Sequence, residues 1–262
     1  MGHIAKRGMR MSLIRMALAV MAVCLAMTGP ANAQKRELVV GVEELDYFPA
    51  YAVQKGEYVG AAREIFDAFA QARGYTLVYR PLPVKRLYAE LLSGGIDLKF
   101  PDHPNWAVDV KQGHQIAYSR PVIAYVDGVL VRPENAGKGQ SSIRTLGTVS
   151  GFTPFAWLDV LRGGKVVVKE NPRMDLLLRQ VAVGRLDGAY ASVAVVNDIL
   201  DRELKTPGAL VFDPSLPHSR DAYRLSTVEH APVLAEFDAW MAANQAQVDA
   251  IKQRTGAEKG VH

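Results

Sequence analysis

Apolar and polar positions along this chain change period several times, and each change marks an element. Residues 37–42 (ELVVGV) are an apolar, β-branched run of the kind that forms a buried strand. Residues 43–51 follow as an aromatic-rich loop, and 55–58 read as a turn. From 59 to 73 the period becomes helical, with Ala62, Ile65, Phe66, Phe69 and Ala70 on one side and Gly74 where the helix stops. Residues 75–80 (YTLVYR) alternate like a strand, and 84–93 return to the helical period before Gly94-Gly95. A short strand at 96–100 then enters a loop holding Pro101, Asp102, His103, Pro104, Asn105 and Trp106. This β–α–β–α–β order predicts an α/β sheet flanked by helices. In such sheets ligands bind beyond the carboxyl ends of strands, which makes the 101–106 loop the first place to expect a site.

The plan recurs downstream. Strands are predicted at 116–119 and 122–132, a polar linker or surface turn at 133–142, and a strand at 146–149 turning through Ser150, Gly151 and Thr153 into a helix at 155–161. A strand at 165–169 follows, then Pro172 at a helix start, a helix at 176–183 stopped by Gly184, and a strand at 187–190. A helix at 193–204, strands at 209–212 and 222–227, and a long helix at 230–255 complete the chain, with a loose tail after Gly256. Helix, glycine, strand and loop thus occur twice, the pattern of two α/β units of similar plan.

The first residues change the picture of charge and location. Lys6, Arg7, Arg10 and Arg15 precede an apolar run at 16–27, a Gly-Pro break and the small-residue site Ala31-Asn32-Ala33. Residues 1–33 read as a cleaved export signal, giving a mature, periplasmic chain that begins at Gln34; Met1, Met9 and Met11 remain alternative starts. The apolar run is short for a bilayer span. Setting those four cations aside from the 31 basic residues leaves 27, equal to the 27 acidic ones, so the basic balance belongs to the signal and implies no nucleic-acid partner. Cys24 is the only cysteine and lies in the signal; Val23 before it argues against lipidation. The mature chain therefore has no disulfide, thiolate metal site or thiol nucleophile. No metal-ligand spacing and no cofactor motif is present, so no metal and no cofactor are expected.

With these elements placed, the chain resembles the family-3 extracellular solute-binding proteins of bacterial ABC transporters, which have the two-lobed type II periplasmic-binding fold. The resemblance rests on the 38–42 strand with its aromatic loop, Tyr58-Val59-Gly60 before the first helix and residues 91–98 (LLSGGIDL). It also rests on Tyr118-Ser119-Arg120-Pro121, on Gly184-Arg185-Leu186-Asp187 and on the final strand and helix. It implies one lobe of residues 36–132 plus 219–262 and a second of 133–218. The hinge crossings would lie near 127–132 and 217–223, and hinge closure would bury a ligand between the lobes. The implied partners are a small-molecule solute and a membrane permease or a separate sensor protein, with the chain itself a monomer.

Two departures bear on the ligand. Amino-acid binders of the family carry an arginine after the third strand to clamp the α-carboxylate, and the 101–106 loop has none. The family's aspartate for the α-ammonium falls where this chain has Ser192. The resemblance with these departures predicts a small organic anion or neutral aromatic-like solute over a standard α-amino acid.

The candidate ligand-binding residues follow. Tyr47, Phe48 and Tyr51 sit where the family stacks a ligand on an aromatic, and Trp106 offers a second aromatic wall. Lys99 interrupts an apolar strand, either snorkelling to solvent or facing the cleft as an anion partner. Asp102 and His103 lie in the same loop, Ser119 and Arg120 precede the hinge strand, and Ser150 and Thr153 open a helix whose N–H groups either hold an anion or only cap the helix. Ser192 completes the set. Asp97 and Asp187 read as structural hydrogen-bonding residues. The rival reading is a prephenate- or arogenate-type dehydratase on the same fold, for which Glu170 is the one nominated acid of the second lobe; no catalytic residue is expected on the leading reading.

Overall fold

A computed structural model describes residues 36–150 and 152–261. The expected export signal, Cys24 and Gly151 lie outside the described residues. Strand β1 (Arg36–Glu43) leads to a small antiparallel sheet of β2 (Asp46–Tyr47), β3 (Tyr51–Gln54) and β4 (Glu57–Val59). The sequence pattern predicts a loop at 43–51 and the turn at 55–58, but not the strands that pair on either side of that turn. The turn at Lys55 and Gly56, with φ of 54° and 83°, reverses the chain and lets these short segments pair.

Helix α1 (Ala61–Arg73) buries Ala62, Ile65, Phe66, Phe69 and Ala70, the face that the periodicity predicts. Strand β5 (Tyr75–Leu82) and helix α2 (Val84–Ser93) follow. Gly94 ends α2 at φ 75°, where its N–H reaches the Leu91 carbonyl. A side chain would strain that left-handed position, and so a glycine stops the helix. Strand β6 (Leu98–Asp102) starts two residues later than the pattern suggests, because Asp97 is occupied in anchoring: its Oδ2 accepts from the Val39 N–H at 2.6 Å and its Oδ1 lies 2.9 Å from His230 Nε2. After a four-residue helix α3 (Val108–Lys111) come β7 (Ala117–Tyr118) and the long strand β8 (Ile123–Val131).

The remaining chain gives β9 (Thr145–Val149), a 3-10 turn at Phe155–Trp157 continuing as α4 (Leu158–Arg162), β10 (Val167–Asn171), α5 (Met174–Ala182) and β11 (Gly188–Ser192). Helix α6 (Val193–Asp198) widens into a π turn at Ile199–Glu203 before β12 (Val211–Phe212) and β13 (Ser219–Thr227). The single terminal helix of the sequence reading is two, α7 (Ala231–Ala243) and α8 (Gln245–Thr255). Asn244 separates them: at φ −120° it leaves the helical region, and its side-chain amide donates to the Trp240 carbonyl at 2.8 Å.

The strands form one sheet in the order β10-β9-β11-β8-β13-β6-β1-β5. β1 and β6 are parallel, as are β9 with β10 and with β11; β8 is antiparallel to β11 and β13, and β13 to β6. The centre of the sheet is therefore two long strands that pass between two parallel groups. Each group has its own core. Phe66, Phe69, Phe237 and Trp240 fill the one beside β1 and β6. Leu177, Val181 and Val196 fill one face beside β9 and β11, and Leu146, Trp157 and Leu216 another. Asp187 ties the second group: burial pushes its carboxyl up, but the N–H groups of Thr145 and Arg144 and the Thr145 hydroxyl hold it below the usual carboxylate range. No helix among the described residues is long and apolar enough to cross a membrane.

Candidate functional site

Alternation along a strand puts Tyr125 and Asp127 on one face of β8. Directly opposite Asp127 lie Ser192 at the end of β11 and Ser219 at the start of β13; opposite Tyr125 lies Asp221. Tyr223 continues the same face of β13 and stacks on Tyr125 with ring centroids 4.6 Å apart. A polar and aromatic strip thus crosses the middle of the sheet, between the two groups of strands.

The walls come from both sides. From the first group, Tyr47 stacks on Tyr51 at 5.5 Å, and Tyr51 meets Tyr223 edge-on at 5.6 Å. Trp106 packs 6.0 Å from Tyr223 and 6.3 Å from Tyr125. From the second group, Phe152 lies 6.2 Å from Tyr47 and 6.0 Å from Tyr190, while Arg202 sits over the Phe48 ring at 4.0 Å. Tyr47 touches the cores of both groups. Beside it opens a cavity of about 370 Å³, lined by Tyr47, Phe48, Val149, Arg173, Asp175 and Arg202 among others, a size at the lower end for small-molecule sites. Its two arginines are each paired on their own helix or turn: Arg173 with Asp175 at 2.8 Å and Arg202 with Asp198 at 2.6 Å.

Two carboxyl groups in and beside this strip are raised by burial. Burial pushes the Asp127 carboxyl up to about 7, and its Oδ1 is sealed from solvent with no hydrogen-bond partner. Burial also raises Glu43, with Lys99 and a hydrogen bond from the Tyr51 hydroxyl at 3.0 Å acting against it. Tyr47, Tyr51 and Tyr223 are driven well above the ordinary phenol value, first by burial and then by these carboxylates, so all three stay neutral.

The residues proposed from sequence separate into groups. Tyr51 and Trp106 pack on Tyr223 of the strip, Ser192 lies opposite Asp127 within it, and Tyr47 and Phe48 line the neighbouring cavity. His103 stands beside Trp106 and places Nε2 2.8 Å from the Asp221 carboxylate. Lys99 is neither at the surface nor in open cleft. It is fully buried, its Nζ donates to the Pro101 carbonyl at 2.5 Å and lies over the Tyr88 ring at 4.4 Å. Burial pushes its ammonium down, opposed by Asp102 and Glu43. Asp102 is equally buried and accepts from Lys111 Nζ at 2.8 Å, Ser226 Oγ at 2.6 Å, Tyr88 Oη at 3.2 Å and the His103 N–H at 2.7 Å. Ser119 is buried and accepts from the Leu225 N–H at 3.0 Å; the Arg120 N–H donates to Asp238 at 2.9 Å, and its side chain is exposed over α7. Ser150 and Thr153 are exposed. The helix they were expected to open is only a 3-10 turn and a five-residue helix.

Sequence reasoning passes over Tyr125, Asp127, Tyr190, Asp221 and Tyr223 as site residues. For Asp127 a signal is present: a lone carboxylate inside the apolar run VIAYVDGVLV, the same kind of interruption as Lys99 makes in its strand.

No family model matches the chain, and no curated protein does. Solved structures do. One is a histidine kinase sensor domain described as similar to periplasmic binding proteins, at 22% identity and a TM-score of 0.63, covering 87% of this chain and 98% of its own. Another is the arginine-, lysine-, histidine-binding protein of the thermophilic bacterium Geobacillus stearothermophilus, at 19% identity and a TM-score of 0.63, covering 84% and 95%. A third is an ancestral amino acid-binding protein, a precursor of cyclohexadienyl dehydratase, at 18% identity and a TM-score of 0.62, covering 84% and 94%. The architecture is thus the two-lobed α/β fold of periplasmic binding proteins. At these identities the likeness extends to the fold.

Proposed function

We propose that this protein is a non-enzymatic receptor that captures a small polar solute in the cleft between two lobes, residues 36–132 plus 219–262 and residues 133–218. The observation that carries the reading is the meeting of side chains from the two sides of the sheet, Tyr47 against Phe152 at 6.2 Å and Arg202 over the Phe48 ring at 4.0 Å. A solute there touches both lobes only when they are together, so its binding energy favours the closed arrangement. The crossings near 127–132 and 217–223 serve as the hinge. An amino acid ABC transporter substrate-binding protein from Streptococcus pneumoniae, bound to L-arginine, is among the structural neighbours and supports delivery to an ABC-type permease. The export signal read at residues 1–33 supports a periplasmic location, and the receptor acts as a monomer.

The sensor-domain neighbour supports a second reading, in which the closed lobes are presented to a separate signalling protein. A dehydratase has less support: Glu170, its nominated acid, is exposed on β10, the last strand in the sheet order. The test is a thermal-shift screen over amino acids, carboxylates, amines and sugars. A solute at a hundred times its dissociation constant adds about 3 kcal/mol of stability. Replacing Tyr47 with alanine should abolish the shift. A shift that survives Tyr47→Ala places binding elsewhere, and turnover of prephenate would replace the receptor with an enzyme.

A further inference from the structure

The polar and aromatic strip across the middle of the sheet leaves one group unsatisfied. Asp127 Oδ1 is closed off from solvent and has no hydrogen-bond partner, whereas the other acids nearby are engaged: Glu43 with Tyr51, Asp221 with His103, Asp102 with Lys111. Its cross-strand neighbours are the hydroxyl-bearing Ser192 and Ser219. Its charge is felt by Tyr47, Tyr125, Tyr190 and Tyr223, neutral rings drawn from four different strands. An unpaired carboxylate in such a place costs several kcal/mol unless a cation or hydrogen-bond donors meet it. The buried lysines Lys99 and Lys111 do not supply one, since both are held at Asp102.

We infer that Asp127 is the anchor for the positively charged group of the ligand, and that the receptor takes an organic ammonium compound in place of the organic anion expected from sequence, whose partner Lys99 is held at Asp102. The inference rests on the receptor reading and gives it a ligand class. An ammonium group supplies the donors that Oδ1 lacks, and the serine hydroxyls can accept its remaining protons. Tyrosine rings are suitable walls for the same group, because a cation is attracted to the π face and the site excludes competing water. The arrangement sets the charge at the hinge strand itself, so the cation is gripped where β8 and β13 cross between lobes.

Calorimetry with defined probes tests this. The cations are putrescine and agmatine, both of which carry N–H donors; succinate and ribose serve as anionic and neutral controls. The proteins are the wild type, Asp127→Asn, a second neutral replacement Asp127→Ser, and Tyr47→Ala, each checked for folding by circular dichroism. The expected result is binding of at least one cation by the wild type and not of the controls, weakened about 30-fold or more in both Asp127 variants, the loss typical when one partner of a buried charge pair is removed. Cation binding of equal strength in the Asp127 variants overturns the proposal. Succinate or ribose bound through Tyr47 and indifferent to Asp127 overturns it while leaving the receptor reading intact. Failure of the wild type to bind any of the cations overturns it as well, and the broader solute screen then decides separately whether the receptor reading stands.

Discussion

Replacing Asp127 with asparagine keeps the shape of the side chain and removes a buried charge, and its effect on the free protein can be worked out from the structure. Burial raises the Asp127 carboxyl from 3.8 to about 7 in the folded chain. Below pH 3.8 the group is protonated in both states and contributes nothing. Between 3.8 and 7 the folded state keeps a proton that the unfolded state has lost, so stability falls as pH rises; above 7 the full penalty is present. At about 1.36 kcal/mol for each pH unit the penalty is about 4 kcal/mol, and about 2 if water follows the ionised group into the cleft. Asparagine carries no such penalty. Relative to wild type, Asp127→Asn should therefore gain about 2 to 4 kcal/mol between pH 4.5 and pH 8, measured by urea unfolding at several pH values. His103, Asp221 and Glu43 also face this region, but they are common to both proteins and cancel in the difference. Tyr47, Tyr125, Tyr190 and Tyr223 titrate above the range used. A difference that stays constant with pH would refute the claim that Asp127 is an uncompensated buried acid.

Three other outcomes follow from the same structure. Asp102→Ala leaves Lys99 and Lys111 buried without their carboxylate, and should cost about 3 to 5 kcal/mol in chemical unfolding; a loss under about 1 kcal/mol would show that the network is dispensable. Tyr47→Ala should abolish solute binding while leaving the unfolding transition cooperative, because the ring lies between the two cores without being the centre of either; binding at wild-type strength by calorimetry would remove the aromatic wall from the account. Protein recovered from the periplasm should have the intact mass of a chain beginning at Gln34, and a mass that retains residues 16–27 or carries lipid would refute cleavage after Ala33.

Helices with a glycine stop were the most legible parts of this chain. The span 84–93 is the helix observed, because its apolar spacing and the left-handed turn at Gly94 are both local facts. The small sheet of β2, β3 and β4 was not legible. Its strands are two to four residues long and mix aromatic with charged positions, so no alternation survives for a periodicity to find. The break at Asn244 hides for the opposite reason: helical periodicity continues across it, and only a side-chain hydrogen bond to Trp240 interrupts the helix. At the site, loops at strand ends drew attention to Tyr47, Tyr51, His103 and Trp106, which the fold brings into one group of contacting rings around Tyr223. Lys99 shows the limit of such reasoning. A lysine in an apolar strand is visible in sequence, but Asp102 and Tyr88, which account for it, are neighbours only through the fold. Asp127 is the same case with the sign reversed: the carboxylate is legible, and the absence of a partner is a property of the folded chain.

The central claim is that a solute is held between two lobes that close on it. Small-angle scattering on the mature chain, with and without a solute shown by calorimetry to saturate it, addresses this most directly. A hinge at 127–132 and 217–223 predicts a smaller radius of gyration in the bound state, and no such change when Tyr47→Ala is mixed with the same solute. An identical radius of gyration for the free and saturated wild-type protein would contradict closure of the lobes around the ligand.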